Sequence, residues 1–282
     1  MKNRNYVLFV LPAMALVAFV SIVPLISLLY ISLTENGSFT LANYVRTISR
    51  PSNLKVIVDT FFMSALVTVF SALAGYIVAY FIYKAKPAMQ ALLFALVLLP
   101  FWTSALVRTY SWVVLLQRQG IVNDSLQFLG LASEPIGLVF NFTGAIIGMV
   151  HVTLPLFVLP LYSAMKSIDT NCMRAARSLG ANDVEVFWGV FFPLTVPAVM
   201  AGALMVFVFS LGFYATPQIL GGGNVVNIAM KIQQSVTTYP DWPTAACMGI
   251  ILLLLTGLFL VVSSLAKRTQ LFFKRMRLPA HV

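Results

Sequence analysis

The chain has 282 residues, of which 60% are hydrophobic and only 9% are charged, and its mean hydropathy is +0.93. A soluble domain could not keep such a composition on its surface, so that class is excluded. The formal net charge of +10 comes from basic residues dispersed at the flanks of apolar runs. Because they form no basic stripe with interleaved aromatic side chains, a nucleic-acid platform is not indicated.

Apolar runs of the length that crosses a bilayer as a helix, about 20 residues, recur six times along the chain. They are Tyr6 to Leu33, Val56 to Tyr83, Met89 to Val107, Thr143 to Met165, Leu194 to Ala215 and Thr244 to Ala266. We therefore predict an all-α integral membrane protein of about six transmembrane helices, forming a single membrane domain over residues 1–282.

The orientation of these helices follows from the basic residues, which stay on the cytoplasmic side when they lie in short loops. With the N-terminus inside, about two thirds of the 18 Lys and Arg residues fall on the inner side. Both termini are therefore expected to be cytoplasmic. The segment 267–282 is predicted to be a basic tail that lies along the inner leaflet and meets anionic lipid head groups.

The second span carries two stripes of residues at helical spacing. Ala72, Gly75 and Ala79 are small and let another helix approach closely. Hydroxyl groups from Ser64, Thr68 and Ser71 form another stripe, for which two interpretations stay open. They either form hydrogen bonds between helices or line a transport pathway.

The third and fourth spans carry two ionisable groups of interest. The string LPFWTSALVRTYSWVVLLQRQG places Trp102 and other aromatic residues around Arg108, a pattern typical of an aromatic belt at a membrane surface. His151 lies within the fourth span and is a functional candidate because ionisable groups are costly there. The alternative for His151 is a hydrogen-bonded structural role, since no carboxylate is near it in the sequence.

Residues 166–193 join the fourth and fifth spans and contain two helix starts. Asp169 can cap a first helix that ends near Leu179, with Gly180 in the left-handed position that follows a helix end. Asn182 and Glu185 fit a capping box that starts a second helix, which is predicted to run to Pro193. We predict a structured cytoplasmic loop of two short helices.

The same loop resembles the EAA motif of the permease subunits of ABC importers. The family pattern is E-A-A, three residues, G, nine residues and I-x-L-P. Arg174 stands where the family has glutamate, so a contact made by that glutamate does not carry over. The positions that match the pattern are Ala175, Ala176, Gly180, Val190, Phe192 and Pro193. The resemblance implies a type I ABC importer permease fold, in which these matched residues couple the chain to closure of an ATP-hydrolysing subunit.

Three further strings resemble the spermidine and putrescine permeases within that family. They are R-T-Y-x-W from Arg108, FYATPQILGGG from Phe213 and D-W-P from Asp241. The resemblance implies that the solute is a polyamine or a related small amine. Permeases for opines and amino-acid-like solutes share these strings, so that alternative stays open.

The resemblance also implies partners and candidate solute contacts. The expected partners are two ATPase subunits, which bind ATP and Mg, a second permease subunit, an extracytoplasmic solute-binding protein and membrane lipids, all at a bacterial inner membrane. The chain itself is expected to hold no cofactor and no metal and to catalyse no reaction. Carboxylates and aromatic faces attract cations, which makes Asp59, Asp241, Tyr76, Tyr80 and Trp102 the candidate solute-path residues. For Asp241 the alternative is a cap on the last helix, formed by Asp241 or Thr244.

Other function classes find less support in the sequence. A proton-driven transporter usually needs a relay of carboxylates or histidines inside the membrane, whereas the eight acidic residues lie at span ends or in the loop. The chain lacks the G-x-x-x-x-G-K-[ST] phosphate loop, so it cannot hydrolyse ATP by that route. No selectivity-filter string of a channel and no motif of a membrane enzyme occurs.

Overall fold

The computed structural model describes the backbone of residues 3–35 and 37–276, and the side chains of residues 11–35, 37–261 and 263. Its helices are α1 (Asn3–Leu33), α2 (Ala42–Ser49), α3 (Pro51–Lys84), α4 (Pro87–Trp102), α5 (Ala105–Leu116), α6 (Ile121–Phe128), α7 (Phe142–Lys166), α8 (Thr170–Ser178), α9 (Asp183–Val186), α10 (Phe192–Leu211), α11 (Ala215–Leu220), α12 (Ile228–Thr237) and α13 (Trp242–Met276). A π-helical turn, Phe187–Phe191, joins α9 to α10. Two short antiparallel strands, β1 (Thr34–Glu35) and β2 (Ser38–Phe39), pair Thr34 with Phe39 and Glu35 with Ser38.

Long apolar helices dominate the part of the chain that the structure describes. Five of them could cross a membrane by length and composition, and the bent pair of α4 with residues 105–128 adds a sixth if it is counted as one span. The predicted all-α membrane fold is therefore confirmed. The prediction of one membrane domain over residues 1–282 stays a prediction.

The chain divides into two compact units, Met1–Val56 with Met230–Val282, and Ile57–Ala229. The core of the second unit lies where α7 packs against α10 and α3. Phe157 of α7 is fully buried there, and its ring lies against Gly75 of α3 and Gly202 of α10. The Ser71 and Thr153 hydroxyls share a buried hydrogen bond of 2.8 Å. The stripe around Gly75 therefore serves helix packing, and Ser71 forms a bond between helices.

The first unit packs α13 against α1 and α2. Tyr44 of α2 bonds the hydroxyl of Ser32 at 2.8 Å, and the Asn43 amide donates to the carbonyl of Thr34 at 3.2 Å. Arg46 reaches Glu35 at 3.1 Å. The short helix α2 is thus tied to the end of α1 by polar side chains.

The predicted third span, Met89 to Val107, was wrong as a single helix. The helix ends at Trp102, and the next one runs at 107° to it. Pro100 lies in the last turn of α4 and cannot donate a backbone hydrogen bond. Thr103 and Ser104 then adopt extended backbone angles, with ψ of 148° and 137°, and the chain turns there.

The boundaries of the last two predicted spans also differ from the structure. The helix that starts at Asp183 does not stop at Pro193 but runs through the π-helical turn into α10. Proline is tolerated inside this continuous run because a local π-helical adjustment, in which the N–H of Phe192 bonds the carbonyl of Phe187, directly precedes it. The last helix, predicted to end at Ala266, continues to Met276. Of the predicted basic tail, residues 277–282 and the side chains from 267 onward lie outside the described residues.

The close contact between Phe157 and Gly75 gives a test of the packing. A Cβ atom at position 75 would lie 2.6 Å from the Phe157 ring, whereas one at Gly249 of α13 would meet no atom within 4 Å. We expect Gly75→Val to lower the free energy of unfolding by about 1–3 kcal/mol through overpacking, and Gly249→Val to change it much less. Thermal unfolding of both variants in detergent measures the difference. Equal stability of the two would contradict the packing.

Candidate functional site

The segment between α7 and α10 is held in shape by its own caps. The carboxylate of Asp169 accepts the backbone N–H of Asn171 at 2.9 Å and starts α8. At the other end, the N–H of Gly180 donates to Arg177 and that of Ala181 donates to Ala176, at 2.9 and 3.1 Å. These are the two bonds of a Schellman motif. Gly180 has φ of +90°, a region that side-chain-bearing residues rarely adopt. The predicted cap is confirmed.

The second helix start follows within two residues of this turn. Asn182 accepts the N–H groups of Val184 and Glu185 at 3.0 Å, and Glu185 accepts the N–H of Asn182 at 2.8 Å. The predicted capping box is therefore confirmed. Arg177 donates twice to one oxygen of Asp183, at 2.9 and 3.2 Å. This ion pair joins α8 to α9 and was not predicted, although opposite charges on either side of Gly180 indicate it.

An apolar surface lies on the outside of this two-helix loop. Leu179, Val184 and Trp188 are 89%, 66% and 61% exposed. Of the residues that match the EAA pattern, Ala175, Gly180 and Pro193 are exposed, while Ala176, Val190 and Phe192 are half-buried. We call Leu179, Val184 and Trp188 the loop surface. The EAA pattern did not predict the loop surface, because none of these three residues is at a position that the pattern specifies.

Two candidate solute-path residues, Tyr76 and Tyr80, lie together beside this loop. Both contact the ring of Phe187, with centroid distances of 6.3 and 5.2 Å. Tyr76 also lies 5.5 Å from Phe192, and its hydroxyl bonds that of Thr195 at 3.2 Å. Their rings are thus engaged by protein side chains, and their contact with a solute stays a prediction.

A small cavity of about 180 Å³ opens next to Tyr80. Its walls combine the ends of α3, α8 and α9, including Lys84, Met173 and Arg177. The Lys84 ammonium lies 5.6 Å from the centre of the Tyr80 ring, within the range of a cation–π contact. Among the described residues, no group of three or more His, Cys, Asp or Glu side chains could hold a metal.

The other candidates are placed differently. Trp102 is 88% exposed at the end of α4 and makes none of the ring contacts found among the described side chains. Asp59 is half-buried in the third turn of α3, and among the described residues it forms no ion pair. The solute-path role of both residues stays a prediction.

Asp241 is engaged at the start of α13. Its carboxylate accepts the Thr244 hydroxyl at 2.7 Å and the Thr244 N–H at 3.1 Å, and it lies 3.7 Å from Arg50. Burial raises the pKa of Asp241, but the hydrogen bonds from Thr244 and the charges of Arg46 and Arg50 outweigh it and leave the pKa below its ordinary value. The carboxylate therefore acts as a helix cap in an ion pair, which leaves less negative charge to attract a cation.

Arg108 and His151 have structural partners. Arg108 donates to the carbonyl of Thr103 at 3.0 Å and so holds the break between α4 and α5. The indole N–H of Trp112 donates to Nδ1 of His151 at 3.0 Å. The hydrogen-bonded role for His151, one of the two alternatives in the sequence, is the one that this geometry favours.

The ion pair of Asp241 gives a pH-dependent test. Because its pKa is lowered by folding, its contribution to stability is present above the ordinary value of 3.8 and disappears as the pH falls through the lower folded value. We expect Asp241→Asn to unfold at a modestly lower temperature than the unmodified chain at pH 7, since exposed ion pairs contribute about 0–1 kcal/mol. The difference between the two unfolding temperatures should narrow below pH 3.8. Thermal unfolding at pH 7 and at lower pH measures it. Asp124→Asn, at an exposed carboxylate, is the control, and an equal gap for both variants would refute the ion-pair role.

Comparisons with known proteins agree with this architecture. The structure of a bacterial ABC transporter involved in the import of the acidic polysaccharide alginate has a chain with a TM-score of 0.73 and 16% identity, covering 95% of this chain and 96% of that one. At that identity the likeness establishes the fold alone. It is the type I importer permease fold that the resemblance implied.

Sequence relatives carry the comparison further. The spermidine/putrescine transport system permease protein PotB of Escherichia coli is 34% identical over 230 residues, which cover 82% of this chain and 83% of that protein. PotB of Haemophilus influenzae is 35% identical and covers 88% of each chain. Residues 5–271 match the model of the binding-protein-dependent transport system inner membrane component. The chain therefore belongs to that family and is a multi-pass inner membrane permease subunit of an ABC importer.

Proposed function

We propose that this permease subunit imports spermidine, putrescine or a related small amine, driven by a separate ATPase that docks on the loop surface. The observation that carries the docking is the exposed apolar side chains of Leu179, Val184 and Trp188 on a loop that its own caps hold rigid. Exposed apolar patches on ordered segments mark sites of protein contact. The solute class is supported by the two PotB relatives, whose names state spermidine and putrescine.

The same proposal includes the remaining subunits and the orientation. Two ATPase subunits bind ATP and Mg, a second permease completes the membrane part, and an extracytoplasmic binding protein delivers the solute. The charge distribution in the loops supports cytoplasmic N- and C-termini, which puts α8 and α9 on the side where ATP is available.

The experiment is to extract the tagged chain gently from native membranes, identify what copurifies, and measure ATP hydrolysis with spermidine and putrescine. An ATPase together with stimulation by either amine supports the whole proposal. If an ATPase copurifies but neither amine stimulates its ATP hydrolysis, the docking is supported and an amine as the solute is refuted. A chain that purifies alone refutes the docking.

Gly180 offers a sharper test of the docking loop. Its φ of +90° strains a β-branched residue by about 1–2 kcal/mol, so Gly180→Val should change the angle between α8 and α9. We expect ATP hydrolysis to persist while transport falls. Gly180→Asn should retain more transport, because asparagine tolerates the left-handed region.

Gly137→Val is the matched control for this glycine. It lies in an exposed loop with open space around it and has no left-handed φ. Uptake and ATP hydrolysis are measured for each of the three variants in reconstituted complexes. Normal transport by Gly180→Val in an intact complex would refute the role of the turn.

A further inference from the structure

Six aromatic side chains connect α3 to the loop, and we call them the aromatic ladder. Three tyrosines lie at intervals of four and three residues along α3, which puts them on one face of the helix. Three phenylalanines from the π-helical turn and the start of α10 lie against that face. The members are Tyr76, Tyr80, Tyr83, Phe187, Phe191 and Phe192.

The ladder is continuous from one end to the other. Tyr83 lies 5.3 Å from Phe191, Tyr80 lies 5.6 Å from Phe191 and 5.2 Å from Phe187, and Tyr76 lies 5.5 Å from Phe192. Phe191 is only 2% exposed. Each tyrosine therefore meets at least one phenylalanine at a distance typical of interacting rings.

The π-helical turn makes this arrangement possible. In a regular α-helix, residues five apart such as Phe187 and Phe192 point in directions about 140° apart. Here the N–H of Phe192 bonds the carbonyl of Phe187, so the turn holds one more residue than an α-helical turn. Both rings then reach Tyr76, with centroid distances of 6.3 and 5.5 Å. Such turns occur often at functional sites.

The ladder lies next to the loop surface in both sequence and space. Trp188, a member of the loop surface, packs on Phe187 and Phe192 with centroid distances of 5.1 Å to each. The α8–α9 ion pair of Arg177 and Asp183 lines the same cavity as Tyr80. Trp188 therefore connects the loop surface to the ladder through direct ring contacts.

The helix that bears the ladder tyrosines, α3, differs from α7 and α10 in its proline content. Within Ile57–Ala229, α7 contains Pro155 and Pro160 and α10 contains Pro197. The segment of α3 from Ser52 to Lys84 contains no proline, and sharp helix kinks occur mostly at proline. A displacement at Tyr80 therefore meets no proline kink along α3.

We infer that the aromatic ladder is the positioning element that makes α3 follow the loop when the ATPase closes. This inference rests on the proposed function. It gives Tyr76 and Tyr80 a role other than contact with the solute. Since the rings carry the connection, a ring must be kept at position 80, whereas the hydroxyl of Tyr80 is dispensable.

The test compares three variants in the complete, reconstituted complex, with labelled spermidine as the probe. Tyr80→Leu removes the ring and keeps an apolar side chain, and Tyr80→Phe keeps the ring. Phe81→Leu is the matched control, because Phe81 is the next residue on the same helix and is 66% exposed. The readouts are spermidine taken up per ATP hydrolysed and the spermidine concentration at half-maximal uptake.

For Tyr80→Leu we expect uptake per ATP to fall at least about fivefold, the lower end of ordinary coupling between sites, with the half-maximal concentration unchanged. Tyr80→Phe and Phe81→Leu should behave as the unmodified chain does. A raised half-maximal concentration with normal uptake per ATP would mean that Tyr80 contacts the solute, which overturns the inference. Identical behaviour of Tyr80→Leu and Phe81→Leu overturns it as well.

A second readout needs no solute. Cys172 is exposed on α8 and Cys247 is buried, so one spin label can be placed on Cys172 and another on a cysteine introduced by Phe81→Cys. The distance between the labels should stay the same when ATP is trapped on the ATPase, and it should change in the Tyr80→Leu background. A distance that changes already with Tyr80 present overturns the ladder. A failure of the proposed function appears separately, as an unmodified chain that purifies without an ATPase.

Discussion

The ring of Phe157 fixes how closely three helices can approach, and the rest of the Ile57–Ala229 unit depends on that spacing. Within a bilayer the hydrophobic effect does not drive helices together, so association relies on shape, dispersion contacts and a few polar bonds. Gly75 and Gly202 leave room for the ring on either side. At this separation the Ser71 and Thr153 hydroxyls share a hydrogen bond of 2.8 Å, and the tyrosines of α3 contact Phe187, Phe191 and Phe192.

The shape of the two-helix loop, in contrast, is determined by interactions between residues close together in the sequence. The cap at Asp169, the left-handed Gly180 and the capping box of Asn182 and Glu185 each satisfy backbone groups within a few residues. Such interactions depend on sequence spacing alone, which is why the sequence predicted both helix starts and the turn. On this capped loop Leu179 and Trp188 remain 89% and 61% exposed.

Part of what the sequence did not predict is local backbone bonding, and the rest depends on contacts between distant segments. The break after Trp102 and the uninterrupted passage through Pro193 follow from backbone bonding that hydrophobic periodicity does not report. The engagement of Tyr76 by Thr195 joins residues 119 positions apart. Asp241 combines both cases: a cap on the last helix was one of its two sequence interpretations and is seen in the bonds from Thr244, whereas the ion pair with Arg50 joins distant segments.

A connection between a loop at the membrane surface and a membrane helix must meet two requirements. It must be apolar enough to lie beside lipid, and it must be directional enough to transmit a movement without slipping. Aliphatic side chains meet the first demand but repack easily, whereas aromatic rings have preferred edge and face geometries worth about 0.5–1.5 kcal/mol beyond their buried area. Several such pairs in series, anchored by the Tyr76 hydroxyl on Thr195, resist sliding better than any one of them. The ladder therefore lies where aromatic contacts join the proline-free segment of α3 to the capped loop.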